Sequence, residues 1–286
     1  RRRWVWDVNV HGSRNVYEAA LANGIVRFVD ASSINALGTA SHGELLDEES
    51  SDPYRPENPV IFHTPDEALL AVDDSLRGDY DFLEASRLTY FDAKLAAREL
   101  GRRYERERGL ARVTVYPGTA VGPGDVHYAI SQLVDSVWDG TLRVTYPGRT
   151  SFMDSGDFAR GVLAALDRGR PGRGYILAGR NENNLSYAEF MSLVALAAAG
   201  ESGKTRRDGR PIVLPAWFAP VASRIIESLA PGVGISYGLA ISACLGHAFS
   251  SARAIAELGY DPRTPMCESI LACRRFSEAG RRPPAD

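Results

Sequence analysis

Lysine is nearly absent from this sequence of 286 residues: Lys94 and Lys204 are its only two lysines, and the other 31 basic residues are Arg. Cysteine is scarce as well, with three residues in no metal-like spacing, which excludes a disulfide scaffold and predicts reduced thiols and a cytoplasmic location. The 36 acidic residues nearly balance the 33 basic ones. This balance gives no electrostatic reason to expect nucleic acid or an anionic membrane as a partner.

Other functional signals are missing too. The five histidines form no ligand pair with metal-site spacing, so no metal is predicted. One stretch, 228–252, carries no formal charge over a length that could span a membrane, but Pro, Gly and Ser interrupt it, so we expect buried core there and no membrane partner. The first residue is Arg1, and no signal-peptide core follows it. We therefore expect that the true start of the protein has been removed.

The composition that remains, 44% hydrophobic and 24% charged, is that of a globular protein. Helix-like and strand-like segments alternate over the first two thirds, which predicts an α/β fold with a parallel sheet covered by helices. The predicted helices are 7–22, 88–108 and 157–166, and the predicted strands are 25–29, 112–116 and 174–178. Residues 38–64 have the composition of a loop.

The last third has a different pattern. Ser186 and Glu189 have the spacing of a capping box, which predicts a helix from there to Ala199. Further helices are expected over Ala216–Leu229, Ser236–His247, Ser251–Leu258 and Glu268–Phe276. The segment Gly200–Thr205 looks like the end of a phosphate-binding loop, but its leading Gly is replaced and it follows a helix, so we expect a surface loop.

Tyr90 and Lys94 are the first candidate functional pair. Residues four apart share one face of a helix, and a neighbouring ammonium lowers the pKa of a phenol, which is otherwise near 10. The pair can therefore serve as a general acid or base for an alcohol or a carbonyl. The structural alternative is an exposed Lys beside a half-buried Tyr.

Ser32 and Ser33 directly follow the first predicted strand. Ligands of open α/β sheets bind beyond the carboxyl ends of the strands, where these hydroxyl groups would lie. The alternative is that they cap a turn, as Ser often does.

Six segments carry a more specific signal when they are taken in order. They are Asn9–Val16, Arg27–Ser33, Tyr90–Lys94, Val115–Asp125, Phe152–Ala159 and Ile255–Pro262. Together they resemble motifs of the extended short-chain dehydrogenase/reductase family, also called the NAD-dependent epimerase/dehydratase family. Tyr90 followed by Phe91 resembles the dihydroflavonol-reductase-like branch.

The resemblance implies an incomplete Rossmann-type parallel sheet, with its N-terminal strands missing, and a smaller, mostly helical C-terminal substrate lobe. The partial NAD(P)-binding domain would take 1–125 and 150–180, and the substrate lobe 126–149 and 181–286. The glycine loop that holds the pyrophosphate is not in this sequence, nor is the residue that selects NAD or NADP. The long segment 48–79 is expected to be an insertion over the site.

The resemblance also implies roles for single residues. Tyr90 would donate or accept the proton, while Lys94 would hold the ribose and lower the pKa of the tyrosine. Ser33 would hydrogen-bond the reacting oxygen, and Asn9 would lie near the active site. The implied cofactor-binding residues are Ser32, Tyr90, Lys94, Pro117, Gly118 and Thr119.

Three functions are compatible with these residues. The first is an oxidoreductase that uses NAD or NADP on a secondary alcohol or ketone. The second is a sugar-nucleotide epimerase or dehydratase with the same site. The third is a catalytically silent fragment or an NAD(P)-binding regulatory protein. The expected partners are a small-molecule substrate (ketone, alcohol or sugar nucleotide) and, as one candidate assembly, a second copy of the chain.

Overall fold

The computed structural model describes residues 1–41, 43–127, 130–202, 210–218, 221 and 237–280. The chain divides into two compact units, and each is described separately below. The first comprises Arg1–Pro117, Gly161–Leu177 and Ser251–Tyr260. The second comprises Gly118–Arg160, Ala178–Ser250 and Asp261–Asp286.

The first unit begins with a nearly continuous helical segment. Its parts are α1 (Arg2–Trp6), a π-helical turn (Asp7–His11) and α2 (Gly12–Ala22). Strand β1 (Phe28–Ala31), α3 (Pro65–Leu76), α4 (Phe82–Ala85), α5 (Thr89–Arg108) and β2 (Arg112–Pro117) follow. The later parts of this unit are most of α7 (Ser155–Arg168), β6 (Gly174–Leu177) and α10 (Ala252–Leu258).

A three-stranded parallel sheet lies at the centre of the first unit, in the order β1-β2-β6. Phe28 pairs with Arg112, and Thr114 pairs with Gly174. The prediction of parallel strands with helical crossovers is therefore confirmed. The first strand begins three residues later than predicted, and Val26, which was assigned to it, is 88% exposed.

Helices α1 to α5 of this unit share one apolar core with α5 at its centre. Trp6, Val10, Leu95 and Leu100 are completely buried in it. The burial of Leu95 and Leu100 on α5 fixes which face of that helix turns inward. On the segment between β1 and α5, Thr64 caps α3 by accepting a hydrogen bond from the amide of Glu67 at 3.2 Å.

The second unit contains more sheet than the sequence predicts. It comprises β3 (Thr119–Val121), α6 (Ile130–Trp138), β4 (Val144–Thr145), β5 (Arg149–Asp154), β7 (Asn184–Ser186), α8 (Tyr187–Ser202), β8 (Ile212–Val213), α9 (Tyr237–Ser242), β9 (Gly246–His247) and α11 (Met266–Gly280). Strand β5 pairs with β3 and β9 in parallel and with β7 in antiparallel orientation.

Several helix predictions for the second unit can be compared with the structure. The capping box is confirmed: Ser186 and Glu189 bond reciprocally, at 2.7 Å and 3.2 Å. The helix predicted over 236–247 is too long, because it ends at Ser242 and residues 246–247 pair with β5 instead. The phosphate-loop-like residues 203–205 and most of the helix predicted over 216–229 lie outside the described residues. Within the described part of the chain, no helix is long and apolar enough to cross a membrane.

Candidate active site

Ser33 lies just beyond the carboxyl end of β1, as the sequence predicts. The amide of Ser32 still donates to the carbonyl of Val115 on β2, at 2.9 Å, so the chain leaves the sheet between these two serines. The Ser33 hydroxyl accepts a hydrogen bond from the amide of Asn35 at 3.2 Å and caps a short 3-10 turn. Ser33 therefore fills the structural role of a cap, and its side chain, which is 7% exposed, is held in one place.

Tyr90 lies in the first turn of α5, and its phenol is near enough to the side chain of Ser33 for that side chain to lower the pKa of the phenol. One turn later on the same face, the Lys94 ammonium lies 5.6 Å from the centre of the Tyr90 ring. Tyr90 is 42% exposed, so small molecules can approach it. The first unit thus brings together three of the four residues predicted to be catalytic.

The pKa of Tyr90 differs from the expectation. Burial around the phenol raises the pKa of Tyr90, and the nearby Ser33 side chain only partly opposes this. Burial also lowers the pKa of Lys94, while the Asp30 carboxylate acts in the opposite direction. The helical spacing predicts a lowered pKa for Tyr90, and this is wrong for the structure because burial around the phenol has the largest effect on this pKa. Tyr90 is thereby kept in its protonated form.

Asp30 belongs to a buried polar network that the sequence analysis missed. Its Oδ2 atom accepts hydrogen bonds from the Tyr17 hydroxyl and from Arg112 Nη1, both at 2.7 Å. Arg112 also donates through Nε to Glu105 at 2.9 Å, and its side chain is 2% exposed. A Cβ atom at Gly101 would lie 2.2 Å from Arg112 Nη1, so only glycine leaves room for the guanidinium there.

Asn9 lies on the π-helical turn, a type of irregularity that is frequent at functional sites. The side-chain amide of Asn9 donates to the backbone carbonyl of Val5 at 2.9 Å, and the backbone carbonyl of Asn9 accepts from the Ser13 hydroxyl at 2.7 Å. These contacts stay within the helical segment. The role of Asn9 near the active site stays a prediction.

The predicted cofactor-binding residues after β2 fall on both sides of the unit boundary. Pro117 ends β2 and pairs with Leu177 in the first unit. In the second unit, a Cβ at Gly118 would be 2.4 Å from the carbonyl oxygen of Ser151, and Thr119 Oγ1 lies 3.2 Å from Thr150 Oγ1. Their contact with a cofactor, like that of Ser32, stays a prediction.

A Ser-His-Asp arrangement in the first unit has no catalytic access. Ser75 Oγ lies 2.9 Å from His11 Nε2, and His11 Nδ1 lies 3.4 Å from Asp7 Oδ1. However, Ser75 is 3% exposed, and its hydroxyl also donates to the carbonyl of Val72 and accepts from the indole of Trp6. The cluster therefore fastens α3 to the N-terminal helices. Among the described residues, no group of three or more His, Cys, Asp or Glu is placed to hold a metal ion.

Comparison with known proteins gives a relative and two similar structures. The chain is 25% identical over 181 residues to sterol demethylase protein B of Methylococcus capsulatus, a match that covers 63% of this chain and 46% of the relative. The chain thus spans about half the length of that protein. The crystal structure of gox2253 covers 99% of the chain with 75% of its own length, at 24% identity and a TM-score of 0.72.

A nucleoside-diphosphate-sugar epimerase from Pseudomonas aeruginosa is also similar, at 20% identity and a TM-score of 0.65, covering 96% of this chain and 74% of its own. At these identities, the two structures establish the fold alone. Residues 72–178, which include α5 and the sheet strands β2 and β6, match the model of the NAD dependent epimerase/dehydratase family. This part of the chain is therefore similar to the NAD-dependent epimerase/dehydratase family.

Proposed function

We propose that the protein is an NAD(P)-dependent oxidoreductase that interconverts a ketone and a secondary alcohol, with Tyr90 as the proton donor or acceptor. The observation that carries this proposal is the proximity of the Tyr90 phenol to the Ser33 side chain, with Lys94 one helical turn away from Tyr90. Two hydroxyl groups that lie near each other can both reach one carbonyl oxygen between them. That arrangement is what proton transfer to a reacting oxygen requires.

The surroundings of Lys94 fit a nicotinamide dinucleotide. Among the described residues, the half-buried ammonium of Lys94 has no hydrogen-bond acceptor. It lies over the Tyr90 ring, and the charge of Asp30 acts on it. An ammonium offers three donors, which suits it to a pair of ribose hydroxyls. Lys94 would hold the nicotinamide ribose there. When bound, the nicotinamide supplies or takes up the hydride.

In the direction of reduction, Ser33 and Tyr90 have separate roles. Ser33, held by the amide of Asn35, orients the carbonyl oxygen. Tyr90 gives its phenolic proton to that oxygen as the alcohol forms. Because burial keeps the pKa of Tyr90 above its ordinary value, the proton is present at neutral pH. In oxidation Tyr90 must first lose this proton, so we expect oxidation to be favoured at alkaline pH.

The function can be tested by incubating the full chain with NADH or NADPH and three probes, while the nicotinamide absorbance is followed. The names of the similar proteins point to a sterol and a nucleoside-diphosphate sugar as substrate classes. A steroid ketone and UDP-glucose therefore represent these two classes, and cyclohexanone serves as a minimal ketone. The expected result is net oxidation of the cofactor with a ketone. Conversion of UDP-glucose without net oxidation would instead support an epimerase. If no probe is converted, the proposed activity of this chain is contradicted.

Replacing Lys94 by Ala tests the cofactor assignment without a substrate. Charge-assisted hydrogen bonds contribute about 1.5–3 kcal/mol, so binding of NADH or NADPH should weaken roughly 10- to 150-fold. The measurement is a titration of the full chain that follows nicotinamide fluorescence. The matched control is Lys204→Ala, which removes the only other lysine and should leave binding unchanged. Equal affinities of both variants would contradict the role of Lys94.

A further inference from the structure

Asp92 is a completely buried carboxylate that the proposed chemistry does not use. It lies on α5 between Tyr90 and Lys94, and its side chain turns away from solvent. Oδ2 accepts a hydrogen bond from the Ser86 hydroxyl at 2.5 Å, and Oδ1 accepts one from the backbone amide of Ile61 at 3.0 Å. One carboxylate therefore joins α5 to two other segments of the first unit.

Both segments precede Tyr90 in the chain. Ser86 follows α4 and is only four residues ahead of Tyr90; its hydroxyl is also 3.0 Å from that of Thr89, the first residue of α5. Ile61 belongs to the long segment between β1 and α3, residues 32–64, which also carries Ser33 near its start. The carboxylate thus fixes the chain just before Tyr90 and ties it to the segment that carries Ser33.

Burying the Asp92 carboxylate costs free energy of folding, which argues against a role in stability alone. Both donors to Asp92 are neutral, and burial raises the pKa of its carboxyl to about 6, which means that the fold favours the uncharged form. A buried carboxylate without a cationic partner is less favourable than a neutral group of the same shape. Such costs are typical of groups retained for function.

We propose that Asp92 is a positioning residue for Tyr90, because its hydrogen bonds to Ser86 and Ile61 set where the first turn of α5 presents the phenol to Ser33. The proposal rests on the function proposed for Tyr90, and it extends that function to a residue that contacts neither substrate nor cofactor.

Two substitutions at this position separate geometry from charge. Asp92→Ala removes both anchors. Asp92→Asn can keep them: Oδ1 accepts from the Ile61 amide, and Nδ2 donates to Ser86, whose hydroxyl can turn to Thr89. The matched control is Asp73→Ala. Asp73 on α3 accepts two hydrogen bonds from Arg103, at 2.9 Å and 3.0 Å, and Arg103 lies on α5 more than three turns from Tyr90.

The readout is the NMR signal of Tyr90 in full-length protein labelled at the tyrosine Cζ carbons, identified by its absence in Tyr90→Phe. We expect Asp92→Ala to shift this signal, and Asp92→Asn and Asp73→Ala to leave it in place. In turnover, Asp92→Ala should lower kcat by up to about 10²-fold with cofactor binding unchanged, since small displacements of a reacting group have effects of that size. Asp92→Asn should restore kcat.

The positioning role of Asp92 can also be tested if Asp92→Ala does not fold. Ser86→Ala removes only the hydroxyl donor and should shift the Tyr90 signal by itself. An unshifted signal in Asp92→Ala or Ser86→Ala overturns the proposal, and so does an equal shift in Asp73→Ala, which would indicate general loosening of α5. The NMR result does not depend on turnover, so a failure of the proposed oxidoreductase function would be recognised separately.

Discussion

Replacing Tyr90 by Phe should lower turnover of a ketone by about 10²- to 10⁴-fold, the range that general acid–base catalysis contributes. The phenol of Tyr90, near the Ser33 side chain, is the group placed to transfer a proton to a carbonyl oxygen. Phenylalanine keeps the ring beside Lys94 and removes only the hydroxyl. Cofactor affinity should therefore change little, and the loss should fall on kcat.

A matched control for this substitution lies on the same helix. Tyr104 is also hydrogen-bonded, through its hydroxyl to Glu18 at 2.5 Å, and it lies almost four turns further along α5. Tyr104→Phe should leave turnover close to that of the original protein. Comparable turnover in the two variants, or undiminished turnover in Tyr90→Phe, would show that the phenol of Tyr90 does not carry the proton.

Much of the geometry around Tyr90 could be predicted because it depends on local rules. The i, i+4 spacing places Tyr90 and Lys94 on one face wherever a helix forms, and α5 begins within one residue of the predicted helix. Ser33 follows a strand in a parallel sheet, and the ends of such strands meet at one edge. In both cases a few neighbouring residues determine the placement.

The parts that could not be predicted depend on distant residues. Strand β5 alternates too weakly between polar and apolar residues to stand out, yet three other strands pair with it. Asp30 and Arg112 are 82 positions apart and meet because β1 and β2 are neighbours in the sheet. The direction of the Tyr90 pKa shift likewise depends on burial, which the spacing of Tyr90 and Lys94 does not reveal.

Replacing Arg112 by Met should cost about 3–5 kcal/mol of the free energy of unfolding, the usual loss when one partner of a buried ion pair is removed. The methionine fills much of the space beside Gly101, but Glu105 loses its guanidinium partner and Asp30 keeps only the Tyr17 hydroxyl. Two carboxylates, each 17% exposed, would then lose the guanidinium charge that compensates them, and Asp30 would retain the more weakly coupled Lys94 ammonium. Thermal melting of the full chain measures the loss.

We expect the loss of stability to depend on the burial of the arginine, and replacing a second, exposed arginine tests this dependence. Arg77 pairs with Asp74 at the end of α3, but its side chain is 65% exposed, and exposed pairs contribute about 0–1 kcal/mol. Arg77→Met should therefore scarcely change the melting temperature. Adding Asp30→Asn and Glu105→Gln to Arg112→Met should recover part of the stability, because the uncompensated charges are removed. If Arg112→Met melts like Arg77→Met, the network does not stabilise the first unit, and the Asp30 carboxylate beside Lys94 must be held in place by Tyr17 alone.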